Sequence, residues 1–183
     1  YLLKLFKKNG FKIKSFGQKL KKEKVVILRH DVDFCPETAL KLAKIEKKLK
    51  VSSTYFFLVR SAFYNIFSKN NLLALKNIIV LGHKIGLHFD AAMYKEEEID
   101  FYCNYESKLL EEACGYKVNM VSFHRPVKKL LNSNNKIGGL KHTYMKEFFE
   151  HMAYCSDSEG KWRFENPYDI ISKNYKKKQF YLQ

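Results

Sequence analysis

Segments typical of buried β-strands alternate with segments typical of amphipathic helices along most of the chain. The run 24–34 opens with consecutive apolar residues, and 51–59 is rich in β-branched and aromatic residues. Pro36 and Glu37 mark the start of a helix whose apolar residues recur at helical spacing. Because a strand, a helix and a second parallel strand form a crossover unit, this alternation favours a parallel sheet with crossover helices.

Further elements of the same kind follow. The sequence predicts helices at 72–81, 95–115 and 145–152, strands at 83–89, 118–123, 153–156 and 178–182, and a polar loop at 127–143. This set of βα units fits either an open doubly wound sheet or an incomplete barrel. The 183 residues have the length of one domain.

The net charge of +15 raises the question of a nucleic-acid partner. Against that partner, nearly all of the cations are Lys spread over predicted solvent faces, and the sequence contains no recognisable nucleic-acid-binding motif. No run approaches the ~18 apolar residues of a membrane-spanning helix, and the start of the chain lacks a signal-peptide pattern. We therefore expect a cytoplasmic protein with no membrane span that binds no nucleic acid.

Polar side chains follow the predicted strands at their carboxyl ends, where parallel α/β folds place their sites. These clusters are Arg29-His30-Asp31-Val32-Asp33, His88-Phe89-Asp90, His124-Arg125-Pro126 and Ser156-Asp157-Ser158. Because the carboxyl ends of parallel strands lie at one edge of a sheet, the clusters are candidates for a shared site.

Asp31 and Asp33 lie two residues apart, so both side chains point to the same face of an extended strand. Two carboxylates this close need a metal or a cation between them, or one stays protonated. That pattern suits one Asp as a metal ligand and the other as a base. The alternative is a helix N-cap with a solvated acid.

His88 and Asp90 have the same two-residue spacing, and with an Asp of the first strand they could bind a divalent cation. Zinc accepts such nitrogen and oxygen donors. His124 adds a second imidazole. Arg125 could pair with Asp31 and fix its orientation, or it could form a surface salt bridge.

The remaining histidines and the cysteines are expected to have structural or surface positions. His83 precedes a strand and is expected to be structural, whereas His142 and His151 are expected at the surface. The four Cys residues are dispersed without a Cys-x-x-Cys pair, which argues against a zinc ribbon, a redox motif or a disulfide scaffold. We expect reduced thiols that mostly fill the core.

The strand-end clusters resemble the motifs of a known family. The segments at 29–33, 82–90 and 122–126 resemble the first three motifs of the polysaccharide deacetylases, the NodB-homology group of carbohydrate esterase family 4. Cys-Ser-Asp-Ser at 155–158, followed by Trp162 as a pocket wall, resembles the fourth. The resemblance implies a distorted or incomplete (β/α) barrel. It also implies a metal-dependent hydrolase that removes an N-acyl group from a sugar or glycan precursor through a metal-bound water.

The resemblance also implies a role for each matching residue. Asp31 would be the general base, oriented by Arg125, which Asp157 would hold in turn. Asp33 and His88 would bind one divalent metal, expected to be zinc.

The chain departs from the family pattern at the third metal ligand. The second motif of the family supplies another His four residues after the first, where this chain has Ala92. We expect the missing ligand to come from His124 or Asp90, and we favour His124.

A second departure concerns the general acid. The last motif of the family carries this residue as a His, and no His follows 178–182 in this chain. We therefore expect a single NodB-like domain, residues 1–183, that is cut short at its C-terminus and is weak on amides. His30 is the obvious substitute, but an extended strand would point it away from Asp31.

Two other functions stay open at this point. Ala92 and the missing acid also fit a catalytically decayed, carbohydrate-binding relative with no hydrolase activity. Nucleic-acid binding rests on charge alone.

Overall fold

A computed structural model of the chain describes residues 1–18, 23–131, 133–149, 152–157, 161–172 and 179–183. The strands are β1 (Lys12–Lys14), β2 (Val25–Val32), β3 (Thr54–Leu58), β4 (Lys84–Phe89), β5 (Met120–Phe123), β6 (Lys141–His142), β7 (Ala153–Ser156), β8 (Arg163–Phe164) and β9 (Gln179–Leu182). The helices are α1 (Leu2–Lys8), α2 (Pro36–Lys48), α3 (Lys69–Val80), α4 (Ile99–Cys114), α5 (Lys146–Phe149) and α6 (Pro167–Ser172). Short 3₁₀ helices span Ala91–Met93, Glu96–Glu98 and Lys128–Leu130.

Within the described residues, seven strands run parallel in the order β6-β5-β4-β3-β2-β9-β7. β1 pairs with β2 in parallel, and β8 pairs with β7 in antiparallel orientation. The sheet curls strongly into a half-barrel with helices between its strands. The predicted incomplete (β/α) barrel is therefore confirmed, in preference to an open doubly wound sheet.

Alternation along β2 separates two packed regions. Val25 and Ile27 point into the half-barrel and pack with Phe56 of β3. Val26 and Leu28 point outward into a cluster that includes residues of α1 and α6. The same period of two continues to the carboxyl end of β2, where it decides which polar side chains face the interior.

The structure separates the histidines that the sequence left outside the motifs. His83 is buried, its Nδ1 accepts the Ser53 N–H at 3.2 Å, and its Nε2 lies 3.1 Å from the Ala43 carbonyl oxygen. Its structural role is thus confirmed. The surface prediction for His142 is wrong, because β6 pairs with β5 and buries this side chain completely. His151 lies outside the described residues.

Two further observations concern the cysteines and the helices. All four cysteines are free, and three of them are buried. Across the described parts of the chain, no helix combines the length and the apolar character needed to cross a bilayer.

Candidate metal centre and active site

The carboxyl ends of β2, β4, β5, β7 and β9 border a cleft of about 870 Å³. Five of the predicted site residues line it: Asp31, Asp33, His88, His124 and Asp157. Asp90, Arg125 and Trp162 are not among the described residues that line it. The strand-end clusters therefore converge, but only in part.

Asp33, His88 and His124 bring three donor atoms together. His88 Nε2 lies 3.2 Å and His124 Nδ1 lies 3.1 Å from Asp33 Oδ1, and the ligand atoms all lie within 4.8 Å of one another. His88 belongs to β4. His124 extends the pairing of β5, since its N–H donates to the Phe89 carbonyl at 2.9 Å. His124 follows Ser122 by two residues and faces the same side.

The surroundings of Asp33 fit a divalent cation. Its Oδ1 is buried and has no hydrogen-bond partner in the described structure, although two imidazole nitrogens approach it. The imidazole of His88 lowers the pKa of Asp33 against the opposing effect of burial, and His124 adds to the lowering. The carboxyl group is thereby held in the ionised form that coordinates metals. One carboxylate oxygen with two imidazole nitrogens is a donor set that suits zinc.

Asp31 lies on the same inner face of β2 and has several partners. Arg29 donates from Nε to Asp31 Oδ1 at 2.7 Å and from Nη2 to Oδ2 at 2.5 Å. The Ser122 hydroxyl donates to Oδ1 at 3.2 Å, and Gln183 Nε2 donates to Oδ2 at 3.0 Å. His88 Nε2 lies 3.7 Å from Oδ2, which brings the carboxylate to the edge of the three-donor cluster.

The charge on Asp31 is stabilised in a buried position. Burial on its own raises the pKa of this carboxyl, but the Arg29 guanidinium, with His88 and Ser122, lowers it overall. The side chain of Asp31 is 8% exposed and that of Arg29 is fully buried. Asp31 is therefore ionised at neutral pH and fixed beside the candidate ligands.

Arg29 is itself held from several sides. Its Nη1 donates to Thr143 Oγ1 at 3.1 Å. The guanidinium lies over the rings of Phe56 and Tyr144, at 5.6 and 5.5 Å from their centroids. Position 86 has to be glycine, because a Cβ there would collide with the Phe56 ring. These contacts hold the guanidinium with its two donor nitrogens towards Asp31.

The predicted contact between Arg125 and Asp31 is wrong. Arg125 donates from Nε and Nη2 to the Asp90 carboxylate at 2.9 and 2.6 Å, and its side chain is 60% exposed. Arg125 follows His124 by one residue, so it points outward where His124 points inward. Asp157 lines the cleft, but in the described part of the chain it makes no ion pair with Arg125.

His30 points away from Asp31, as the alternation predicts. Its Nε2 lies 2.8 Å from Glu46 Oε1, and its ring centroid lies 4.7 Å from that of Tyr55. Glu46 is buried and also accepts hydrogen bonds from Ser53 at 2.6 Å and Tyr55 at 2.8 Å. His30 therefore lines the cleft from the other face of β2, where it belongs to a polar network with Glu46, and it does not substitute for a general acid at Asp31.

Several solved structures of carbohydrate esterases and deacetylases have a similar fold. A family 4 carbohydrate esterase from Bacillus anthracis superposes with a TM-score of 0.54 at 17% identity, over 99% of this chain and 75% of that one. The Streptococcus pyogenes deacetylase PplD, in complex with acetate, gives 0.52 at 15% identity, over 66% and 58%. Peptidoglycan deacetylase PdaC from Bacillus subtilis gives 0.49 at 19%, over 66% and 58%.

The first two of these likenesses, at low sequence identity, show the fold. The chain has the fold of the polysaccharide deacetylases of family 4, so the resemblance carried by its motifs is confirmed at that level. The chain spans about half the length of several solved structures that it matches. No protein-family model matches the sequence, and no curated protein matches it.

Proposed function

We propose that this protein is a metal-dependent hydrolase of the polysaccharide deacetylase type, which removes an N-acyl group from a sugar or glycan precursor. One observation carries the proposal. Among the described residues, the buried Oδ1 of Asp33 has no hydrogen-bond partner. It faces the imidazoles of His88 and His124 and lies beside an ionised Asp31. The fold, shared with family 4 carbohydrate esterases, supports the same chemistry.

Asp33, His88 and His124 would hold the cation, for which zinc is the best match to the donors. A divalent metal bound there would polarise the acyl carbonyl and lower the pKa of a water molecule. His124 would take the position that Ala92 leaves without a ligand. Asp90 is not proposed as a ligand, because its carboxylate is already paired with Arg125.

Asp31 would be the base that accepts the proton of the attacking water. Arg29 would have the role that the family motifs assign to Arg125. It keeps the Asp31 carboxylate ionised and fixes its orientation. Gln183 occupies one acceptor position of the ionised Asp31, and a hydrogen bond to a charged group contributes about 1.5–3 kcal/mol, so the attacking water would have to displace the Gln183 amide.

The leaving amine needs a proton, because an amide nitrogen leaves poorly without one. Asp31 holds the proton taken from water, and we propose that it returns this proton to the amine. The acyl group then leaves as a carboxylic acid and the sugar as a free amine. One residue would thus serve first as base and then as acid.

The experiment measures the release of free amine from an N-acetylated sugar by the zinc-loaded chain. Asp31→Asn is expected to lower kcat by about 10²–10⁴-fold, because general base and acid help is lost. Asp169→Asn is the matched control, since this exposed carboxylate lies on α6 outside the cleft. Turnover by Asp31→Asn at the rate of the wild type would contradict the proposal.

A catalytically decayed, carbohydrate-binding protein is the second candidate. The observation in its favour is that Arg29, Ser122 and Gln183 already engage both oxygens of Asp31. This candidate predicts sugar binding by the zinc-loaded wild type without any release of amine. The same assay therefore separates the two functions.

A further inference from the structure

A second cavity, of about 390 Å³, lies at the amino ends of β5 and β6. Three segments border it: part of α4, the residues that lead into β5, and the loop that leads into β6. Among the described residues its lining contains no acidic side chain and four lysines: Lys108, Lys117, Lys136 and Lys141. Because the metal-site cleft lies at the carboxyl ends of the strands, the two cavities are separate.

Glu111 holds two of these lysines in place. Its Oε2 lies 2.9 Å from Nζ of Lys108, and its Oε1 lies 3.0 Å from Nζ of Lys117. Oε1 also accepts the Val118 N–H at 2.9 Å, which fixes the carboxylate at the start of β5. Since one carboxylate serves two ammonium groups, this side of the cavity keeps one unbalanced positive charge.

The other two lysines flank the loop that leads into β6. Lys141 Nζ donates to Glu147 Oε1 at 3.0 Å, whereas Lys136 forms no ion pair with the residues that the structure describes. Four lysines and the two carboxylates that pair with them leave a surplus of two positive charges at the cavity wall. On a concave surface such a surplus concentrates the electric field and attracts anions.

A glycine turn fixes this loop to α4. Gly138 and Gly139 have φ values of +58° and +77°, which favour glycine. A Cβ at position 138 would lie 2.5 Å from the backbone nitrogen of Asn104, so the turn rests directly on α4. Asp100, which does not line the cavity, accepts the Gly138 N–H at 2.7 Å. The segments that carry the lysines are therefore positioned before any ligand arrives.

We propose that this cavity binds a small, soluble phosphate monoester. Such a group carries a charge of about −1.5 to −2 at pH 7, which matches the surplus at the wall. A carboxylate carries a single negative charge and would leave part of the surplus unbalanced. Lysine ammonium groups bind phosphate as point charges and need no planar, bidentate geometry. The inference does not rest on the proposed function, because the two sites share no residue.

The shape of the site argues for a small ligand in preference to a polymer or a membrane. Its volume falls within the range of small-molecule pockets, about 300–1,000 Å³. A nucleic-acid backbone would need a basic stripe that follows successive phosphates, and a lipid surface would need a flat basic face. The four lysines instead surround one concavity.

The test follows backbone amide signals of the full chain by nuclear magnetic resonance during titration with glycerol 3-phosphate at constant ionic strength. The amide signals of residues 136–141 should shift and reach saturation. Lys136→Gln/Lys141→Gln is expected to raise the Kd about tenfold or more, because two cations of the wall are lost. Lys44→Gln/Lys48→Gln is the matched control, since it removes two exposed lysines of α2 that do not line the cavity. Its Kd should stay within about twofold of the wild type.

Shifts that do not saturate, or equal Kd values for Lys136→Gln/Lys141→Gln and the wild type, would overturn the site. An equally large loss of affinity in the α2 variant would show an effect of net charge alone and overturn it too. Binding to phosphatidic acid vesicles or to a DNA duplex, without binding of glycerol 3-phosphate, would assign the lysines to another source of phosphate and reject the soluble ligand.

The candidate metal centre is the other place where a phosphate group could bind, and Asp33→Ala tests it. This variant should bind glycerol 3-phosphate as the wild type does, with the same amide signals shifted. Loss of binding in Asp33→Ala would place the ligand at the metal centre and contradict the proposal. Metal content and amine release are measured separately, so the phosphate site can fail while the proposed function stands, and the reverse holds as well.

Discussion

Two arginine–aspartate pairs lie at the carboxyl ends of the strands, and they differ in burial. Arg29 and Asp31 are side by side on β2, with the arginine fully buried and the aspartate 8% exposed. Arg125 and Asp90 join the ends of β5 and β4, with side chains that are 60% and 11% exposed. Both arginines present two nitrogens to a carboxylate.

The two pairs differ in whether water could solvate the aspartate after its arginine is removed. If Arg125 is removed, solvent can hydrate Asp90 from the exposed side. If Arg29 is removed, Asp31 keeps its charge on a side chain that is only 8% exposed, which is costly. The family motif points to Arg125, but the buried pair is the one that controls a charge beside the candidate metal ligands.

The largest effect is expected from Arg29→Met. This change leaves a buried carboxylate without its cation, so the free energy of unfolding should fall by about 3–5 kcal/mol. The measurement is a urea unfolding curve at neutral pH. Adding Asp31→Asn to Arg29→Met should recover part of the loss, because the unpaired charge is then absent. A single Arg29→Met variant as stable as the wild type would show that the pair does not have this role.

Arg125→Gln is the matched control, since it breaks the other two-nitrogen pair. Its urea midpoint should be close to that of the wild type, because exposed pairs add little to stability. A loss as large as that of Arg29→Met would remove the distinction between the two pairs.

Glu106 extends this comparison to a third carboxylate with an arginine beside it. Glu106 is 3% exposed, accepts the Tyr94 hydroxyl at 2.5 Å, and lies 3.3 Å from Nε of Arg60, whose side chain is 47% exposed. Burial raises the pKa of Glu106, and Tyr94 and Arg60 offset this only in part. Arg60 is half-exposed and places one nitrogen near the Glu106 carboxylate. It does not lower the pKa of Glu106 below its ordinary value, as Arg29 does for Asp31.

The pH dependence of stability should report this smaller effect. The folded pKa of Glu106 is raised, so the unfolded chain loses its proton first as pH rises. The contribution of Glu106 to stability therefore falls as pH rises from its unfolded pKa of about 4.3 through its higher folded pKa, and the loss persists at higher pH. Urea midpoints should decline less over this window in Glu106→Gln than in the wild type. Identical pH profiles would contradict the assigned direction of the shift.

Local sequence patterns predicted the central part of the fold. β2 to β5 and α2 to α4 have strong apolar patterns, and they appear within a few residues of the predicted bounds. α1, β1, α6 and β8 were not predicted, because they are short and their sequences carry no clear period. β6 comprises two residues within a polar segment, and its pairing with β5 defines it as a strand.

The sequence predicts those features of the site that depend on the spacing of residues along one strand. The two-residue spacing that joins Asp31 to Asp33 also joins Arg29 to Asp31, so the inward direction of Arg29 could have been read from the sequence. Its long-range contact with Thr143, 114 residues away, could not. The same spacing favours His124 over Arg125 for the interior, as the structure has it.

The central claim is that Asp33, His88 and His124 bind one divalent metal, and metal content tests it most directly. We expect elemental analysis of the purified chain to give stoichiometric zinc for the wild type and for Asp90→Asn. Asp33→Ala and His124→Ala should lose most of the metal, with circular dichroism spectra that still show a folded protein. Retention of stoichiometric metal by folded Asp33→Ala or His124→Ala, or its loss from Asp90→Asn, would contradict the account.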